Sequence, residues 1–166
     1  GEKPKSAMES LVAVGEYMEH RQLLAINLDG ETAYFTGGKA LGRSAVAEGL
    51  NCIAGGNLLA NDGVPMAMVD SFVASQNTKV HLADRLLAGL SAGLGAGGEQ
   101  GDVYSAALLV ASDYEWPIVN LRVDWFEGNP VSQLLKIWQC YLPQVDDYLM
   151  RALKPDTAPK YGVPGN

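Results

Sequence analysis

The sequence contains little positive charge. It has 12 lysine and arginine residues against 19 aspartate and glutamate residues, for a net charge of −7, and the basic residues are scattered along the chain. A protein that neutralises a phosphate backbone needs lysine and arginine clustered on one surface. The sequence therefore predicts no nucleic-acid partner.

Long apolar runs are also missing. Polar or glycine residues interrupt each run well before the about 20 residues that a membrane helix needs. No segment combines the basic flank, apolar centre and cleavage site of an export signal. We therefore expect a soluble chain with no membrane partner, and the sequence favours a cytoplasmic location.

Cysteine and histidine are scarce. Cys52 and Cys140 lie far apart, without the C-x-x-C spacing of redox or zinc motifs, so we interpret them as buried free thiols. His20 and His81 have no cysteine, aspartate or glutamate at metal-ligand spacing. We predict neither a metal nor another cofactor.

One glycine motif matches a nucleotide-binding pattern. Gly93, Gly95 and Gly98 satisfy G-x-G-x-x-G, in which a strand leads through a tight turn into a helix whose N-terminus binds pyrophosphate. Here a predicted helix ends at these glycines and a strand follows, so a phosphate would meet the negative helix end. We interpret the segment as a helix end followed by a flexible loop.

Apolar periodicity and turn residues predict four helices and five strands. One helix is expected over residues 7–19, a second begins at Asp62 and Pro65, a third is capped by Thr78, and a fourth covers 130–153. The strands are expected over 22–28, 32–36, 50–59, 106–111 and 118–123.

Three local signals support these assignments. Ser6 and Glu9 match a capping box at the start of the first helix. Asp29-Gly30 favours a tight hairpin between the first two strands. Gly55-Gly56 within the third strand indicates a bulge, or a place where backbone or ligand comes close.

The order of the elements predicts an α+β fold. Runs of strands alternate with runs of helices, without the strict βαβ repeat of a doubly wound sheet. The strand at 105–110 is apolar on both faces, which is typical of a sheet covered on both sides. With 48% hydrophobic residues the chain can build one core, so we predict one domain over 1–153 and an extended tail over 154–166.

Two interpretations of Asn57 stay open. Its amide follows Gly56 at the end of a strand, where it could donate a hydrogen bond to a developing oxyanion, a contribution of about 3–4 kcal/mol in other hydrolases. Alternatively, Asn57 and Asn61 satisfy backbone groups in the turn before the next helix.

Arg122 and Asp124 are expected on one face of a strand that is otherwise buried, because side chains alternate along a strand. Buried opposite charges two residues apart can form a structural ion pair. Arg122 could instead orient a substrate carboxylate, and the sequence leaves both possibilities open.

Ser105 begins a predicted strand but has no G-x-S-x-G motif or nearby histidine. We regard it as a polar group at a cleft more readily than as a nucleophile. Together, Asn57, Gly56, Ser105, Arg122 and Asp124 form the candidate site, expected around one cleft at the strand ends.

Three segments, 50–62, 105–112 and 118–125, with two helical patterns between the first and second, resemble the DUF1028 family. Members of that family look like N-terminal-nucleophile (Ntn) hydrolases, which implies a four-layer αββα sandwich. The resemblance runs from about Arg21 to Leu153. The family shows a similar Gly-Asn pair at Gly56-Asn57 and a serine at Ser105, but an Arg-Gly-Arg-Gln-like segment where this chain has Gly101-Asp102-Val103-Tyr104.

The resemblance raises the question of the nucleophile. An Ntn hydrolase uses the side chain of its first residue, with that residue's own amine as base. Gly1 has no nucleophilic atom, and the family pattern begins with about sixty further residues. We expect either a hydrolase of amide-like bonds completed by an upstream fragment of the same protein, or a non-catalytic binding module. A homo-oligomer is also expected.

Overall fold

The structure is a computed structural model that describes residues 1–76 and 79–160. Its helices are α1 (Pro4–Val14), α2 (Val64–Ala74), α3 (Leu82–Gly95), α4 (Pro130–Tyr141) and α5 (Val145–Leu153). Its strands are β1 (Gln22–Ile26), β2 (Thr32–Thr36), β3 (Ala45–Gly49), β4 (Cys52–Gly56), β5 (Ala106–Val110) and β6 (Val119–Val123).

The described strands form three two-stranded antiparallel sheets: β1–β2, β3–β4 and β5–β6. Helices and small antiparallel sheets in one chain are the α+β class, so that prediction is confirmed. The described helices include none long and apolar enough to cross a membrane.

The chain divides into two compact units, Gly1–Val103 and Tyr104–Asn166. In unit 1, α1 packs against β2, and α2 packs against α3 and the β3–β4 sheet. In unit 2, α4 packs against the β5–β6 sheet. Trp138 and Leu134 of α4 are fully buried and centre the core of that unit.

The first helix differs from the prediction. It begins at Pro4, and no side chain caps its first turn, so the Ser6–Glu9 capping box is wrong. Proline suits the first helical position because the amide hydrogen that it lacks would have no partner there. The helix ends at Val14, well before the expected residue 19.

The β1–β2 hairpin is confirmed, with Gln22 opposite Thr36 and Ile26 opposite Thr32. Its loop is closed by two bonds, from Asn27 N to Glu31 O and from Gly30 N to Asn27 O, each 3.1 Å. Gly30 takes a left-handed conformation with φ +79°, which glycine adopts without strain.

The strand predicted over 50–59 is wrong at its start. Leu50 and Asn51 are the two turn residues of a second hairpin, between β3 and β4, and Asn51 has φ +57°. Asparagine tolerates this left-handed region better than most residues. Gly55 and Gly56 pair in regular register, without a bulge.

At Gly55 the close approach comes from side chains rather than from backbone. A Cβ placed there would lie 2.9 Å from Leu24 Cδ2 and 3.1 Å from Val46 Cγ2. A side chain at this position would therefore require the side chains of Leu24 and Val46 to shift, so the tight packing favours glycine inside the strand.

Helix α2 begins as predicted, with Pro65 in its first turn. The cap expected at Thr78 lies outside the described residues. The residue that caps α3 is His81, whose Nδ1 accepts a hydrogen bond from Ala83 N at 3.1 Å. The histidine is therefore a capping group.

The glycine segment after α3 ends the helix as expected, and backbone hydrogen bonds link it to neighbouring segments. Gly98 N donates to Gly93 O at 3.0 Å, and Gly97 and Gly98 both have positive φ. The chain then runs beside residues 58–60, with Ala60 N bonded to Gly98 O at 2.9 Å and Gln100 N to Leu58 O at 2.8 Å.

The C-terminal helix is broken. It ends at Tyr141, passes through a short 3₁₀ turn, Leu142–Gln144, and resumes as α5. Pro143 lacks the amide hydrogen that a continuous helix needs. In the expected tail, Pro155–Thr157 form another 3₁₀ turn, and residues 161–166 lie outside the described part.

Candidate functional site

One face of the β5–β6 sheet is open. Because side chains alternate, Ser105, Ala107 and Leu109 share this face with Asn120, Arg122 and Asp124, and all six residues are exposed. The opposite face is turned toward the core, where Leu108, Val110, Val119 and Val123 are buried. We call the six exposed residues the open face of unit 2.

The open face is a shallow groove of about 560 Å³. In register, Ala107 lies opposite Arg122 and Leu109 lies opposite Asn120. The register ends at Ala106 opposite Val123, with Ser105 and Asp124 directly beyond this pair, and a backbone bond from Phe126 N to Tyr104 O (2.9 Å) links the two segments further along. Small or apolar side chains on β5 thus face a row of polar side chains on β6.

Arg122 and Asp124 form an ion pair. Arg122 Nη2 and Nε donate to the same oxygen, Asp124 Oδ1, at 2.6 and 3.0 Å. The side chains are 66% and 74% exposed, so the expectation that they lie on a buried face is wrong. An exposed pair of this kind contributes only about 0–1 kcal/mol to stability, which makes a purely structural role weak.

Most of the guanidinium of Arg122 remains available. Within residues 1–76 and 79–160, its side chain bonds to no protein group except Asp124. A guanidinium has five N–H donors arranged to match a carboxylate or an amide oxygen. The open face therefore presents a cation with unused donors beside the neutral amide of Asn120.

Ser105 has no histidine base within its own unit. Residues 104–166 contain no histidine, and the two histidines of unit 1 have other contacts. His81 caps α3, and His20 Nε2 lies 3.7 Å from Glu19. A serine hydroxyl without an adjacent base is a weak nucleophile, so Ser105 is better suited to binding.

Asn57 and Gly56 belong to unit 1, at the end of β4. Asn57 Nδ2 donates to Leu41 O at 3.3 Å, and the backbone N–H of Leu58 donates to the same carbonyl at 3.1 Å. Asn57 therefore satisfies a backbone group, as one of its two interpretations held. Its role toward an oxyanion stays a prediction.

The cysteines are free, as predicted, but Cys52 is only partly buried and Cys140 is exposed. Burial raises the pKa of the Cys52 thiol, and the charge of Arg85 lowers it by less. Within the described residues, no cluster of three histidine, cysteine, aspartate or glutamate side chains could hold a metal ion.

Asn120 was missed by the sequence analysis. Its signal was available, since residues 120, 122 and 124 alternate with apolar residues in the same way as the Arg122–Asp124 pair. The sequence prediction followed this alternation from Arg122 forward to Asp124 but not back to Asn120. The structure adds Asn120 to the polar row as a neutral donor and acceptor.

Comparison with known proteins gives a family. The model of DUF1028, described as a family of unknown function, matches residues 1–134. This chain belongs to the DUF1028 family. The family assignment from the three sequence segments is thus confirmed, over a range that begins earlier and ends earlier than expected.

A DUF1028 protein from Silicibacter pomeroyi has a similar crystal structure. The two chains are 33% identical, with a TM-score of 0.74, over 85% of this chain and 61% of that chain. This DUF1028 chain thus spans about three fifths of the length of its relative. No curated protein matches it.

The segment before β5, Gly101-Asp102-Val103-Tyr104, contains no arginine or lysine. The Tyr104 ring stacks on Trp125, with ring centroids 4.3 Å apart and planes 3° from parallel. In this DUF1028 chain the segment is therefore positioned by aromatic stacking, and Arg122 supplies the cation of the open face.

Proposed function

We propose that this DUF1028 chain is the main scaffold of an Ntn-type hydrolase of amide-like bonds, and that the open face of unit 2 binds the substrate. The observation that carries the proposal is the exposed guanidinium of Arg122, oriented by Asp124 and flanked by Ser105 and Asn120. A carboxylate or amide group of a substrate would find charged and neutral donors side by side there.

The finer fold that we propose is the four-layer αββα sandwich of Ntn hydrolases. Its support is that α4 covers only one face of the β5–β6 sheet, while Leu109 on the other face is 61% exposed. In the same way, α2 packs on one face of the β3–β4 sheet. Sheets with a helix layer on one side are the halves from which such a sandwich is built.

The nucleophile in this proposal is a threonine, serine or cysteine at the start of an upstream segment of the same protein. Its α-amine would act as the base, because the amine's pKa of about 7.7–8.0 suits proton transfer at neutral pH. As a separate proposal within unit 1, Asn57, beside Gly56, would donate an amide hydrogen to an oxyanion. Arg122 would hold the substrate by its carboxylate.

The test uses the chain extended upstream to the length of its Silicibacter relative. N-acetyl amino acids and the corresponding N-acetyl amino acid amides form a matched panel, since the second set lacks the carboxylate. We expect hydrolysis of the first set, with a rate that rises through pH 7.7–8.0. Arg122→Gln should weaken turnover of the carboxylates more than that of the amides.

A matched control is Lys136→Gln, which removes an exposed cation from α4, away from the open face. It should leave both substrate sets unchanged. If Arg122→Gln and Lys136→Gln have equal effects, general charge rather than the open face is responsible, and the proposed site is wrong.

The second candidate function is a non-catalytic binding module. It is favoured by the bond from Asn57 Nδ2 to Leu41 O, which uses one of the two amide hydrogens for a structural contact. In that case the extended chain should hydrolyse neither set. It should still bind N-acetyl amino acids in calorimetry, and Arg122→Gln should abolish that binding.

A further inference from the structure

A second cavity lies within unit 1, apart from the open face. It has a volume of about 310 Å³ and is bounded by the end of β1, residues 51–54 and one face each of α2 and α3. The apolar side chains of Ile53, Met68 and Phe72 form much of its wall.

The wall of this cavity carries no charged side chain. Its polar side chains are those of Asn51 and Cys52, which adjoin each other in the chain. The Asn51 carboxamide packs against Gly30 of the first hairpin loop. Arg85 lies beside this wall, its guanidinium 4.0 Å from the centre of the Phe72 ring, but it already donates to Phe72 O at 3.3 Å. An ionic ligand would lose its hydration against a wall whose own side chains are uncharged, which is costly, so the cavity suits an uncharged ligand.

Gly89 leaves the cavity open. A glycine inside a helix costs about 0.5–1 kcal/mol relative to alanine. A Cβ at Gly89 would make only an ordinary contact, 3.4 Å from Met68 O. At Gly93, one turn later in the same helix, a Cβ would lie 2.6 Å from Met68 Cγ. Packing thus requires the glycine at 93, whereas the one at 89 preserves empty space.

The volume sets the size of the ligand. An apolar cavity of about 150 Å³ lined by leucine, isoleucine and phenylalanine stays dry and binds benzene. The cavity of unit 1 is about twice as large. We propose that it binds an uncharged, mostly hydrocarbon small molecule of about the size of a fused bicyclic ring.

The first experiment titrates the 166-residue chain with N-phenyl-1-naphthylamine, an uncharged probe that fluoresces in apolar surroundings. Gly89→Leu should weaken binding by about tenfold or more, because the new side chain fills the cavity. The matched control is Gly95→Leu in the same helix, where a Cβ meets nothing within 4 Å, and it should bind as the native chain does. Equal binding by all three chains would overturn the proposal.

The second arm tests the preference for an uncharged ligand. 1-Naphthol and naphthalene-1-sulfonate share one ring system and differ in charge. We expect 1-naphthol to displace the probe, and the sulfonate to be at least about tenfold weaker, because the wall offers no cation. Equal displacement by the two would contradict the uncharged class of ligand.

A third measurement needs no variant and stays informative if Gly89→Leu does not fold. Cys52 lines the cavity, whereas Cys140 is exposed on α4 in the other unit. Saturating probe should slow the alkylation of Cys52 by iodoacetamide about fivefold or more and leave the rate at Cys140 unchanged, as measured by peptide mass spectrometry. Bound probe with an unchanged Cys52 rate would place the probe elsewhere and overturn the proposal.

Discussion

The side-chain amide of Asn61 joins the start of one helix to the end of another by donating a hydrogen bond from Nδ2 to the carbonyl oxygen of Ala96, 2.8 Å away. The same side chain accepts a bond from Gly63 N at 2.9 Å through Oδ1. Ala96 directly follows α3, and Gly63 directly precedes α2. One residue therefore connects the two helices that bound the unit 1 cavity.

We expect Asn61→Ala to lower the free energy of unfolding by about 1 kcal/mol, since two hydrogen bonds of exposed groups are lost. Urea denaturation measures this change. Asn61→Asp keeps the acceptor for Gly63 N but not the donor to Ala96 O. Its free energy of unfolding should therefore lie between that of the native chain and that of Asn61→Ala. An unchanged free energy of unfolding for Asn61→Ala would show that the link to Ala96 contributes nothing to stability.

Asn57 offers a contrasting prediction, because a role toward an oxyanion concerns turnover. In the upstream-extended chain, Asn57→Ala should reduce kcat about a hundredfold and leave Tm nearly unchanged. Turnover of the matched N-acetyl substrates measures the change in kcat, and a thermal melt measures the change in Tm. A lowered Tm with unaltered turnover would assign Asn57 to its bond with Leu41 O.

The exposed ion pair of the open face leads to a third prediction. Arg122→Ala and Asp124→Ala should each change the free energy of unfolding by no more than about 0.5 kcal/mol, because both charges are already hydrated. A buried pair, as the sequence led us to expect, would lose more, because removing one partner leaves the other charge buried and unpaired. A loss of several kcal/mol in urea denaturation would show that the open face is covered in solution.

Trp138 gives the largest expected stability effect. Its side chain is fully buried, so Trp138→Ala should cost about 3–5 kcal/mol. Trp125 is 68% exposed and stacks on Tyr104, so Trp125→Ala should cost only about 1 kcal/mol. Similar losses for the two variants would contradict the placement of the core of unit 2 around α4.

The thiol of Cys52 gives a pH-dependent prediction. Because burial raises its pKa, a smaller fraction is thiolate at any given pH below that pKa than in an unfolded chain. The iodoacetamide rate at Cys52 should therefore rise over a higher pH range in the native chain than in urea. Coincident pH profiles for the native and unfolded chains would show that the thiol is not desolvated.

The sequence predicted local elements well where a turn signal was strong. Asp29-Gly30 located the first hairpin, and Pro65 and Pro130 located two helix starts. It failed at β3 because residues 45–56 contain small and apolar residues on both sides of the turn. Neither turn residue, Leu50 or Asn51, is a glycine. The sequence therefore predicted one strand beginning at residue 50, where the structure has two strands joined by a turn.

The sequence also predicted only part of the candidate site. Alternation along β6 correctly placed Arg122 and Asp124 on one face, since it depends only on the backbone. Alternation does not show which face a neighbouring layer covers, so the sequence could not tell that this face is open. The sequence likewise does not show the empty space at Gly89. Gly93 is a glycine of the same helix, but there close packing, not empty space, accounts for the residue.

The pairing of each described strand with its neighbour in sequence has a consequence for folding kinetics. Contacts between residues close in sequence cost little chain entropy to form, and proteins rich in them fold fast. An isolated hairpin forms in about 1–10 μs. During synthesis from the N-terminus, the β1–β2 and β3–β4 hairpins could close before α2 and α3 leave the ribosome, so helix docking is expected to be the later and slower step.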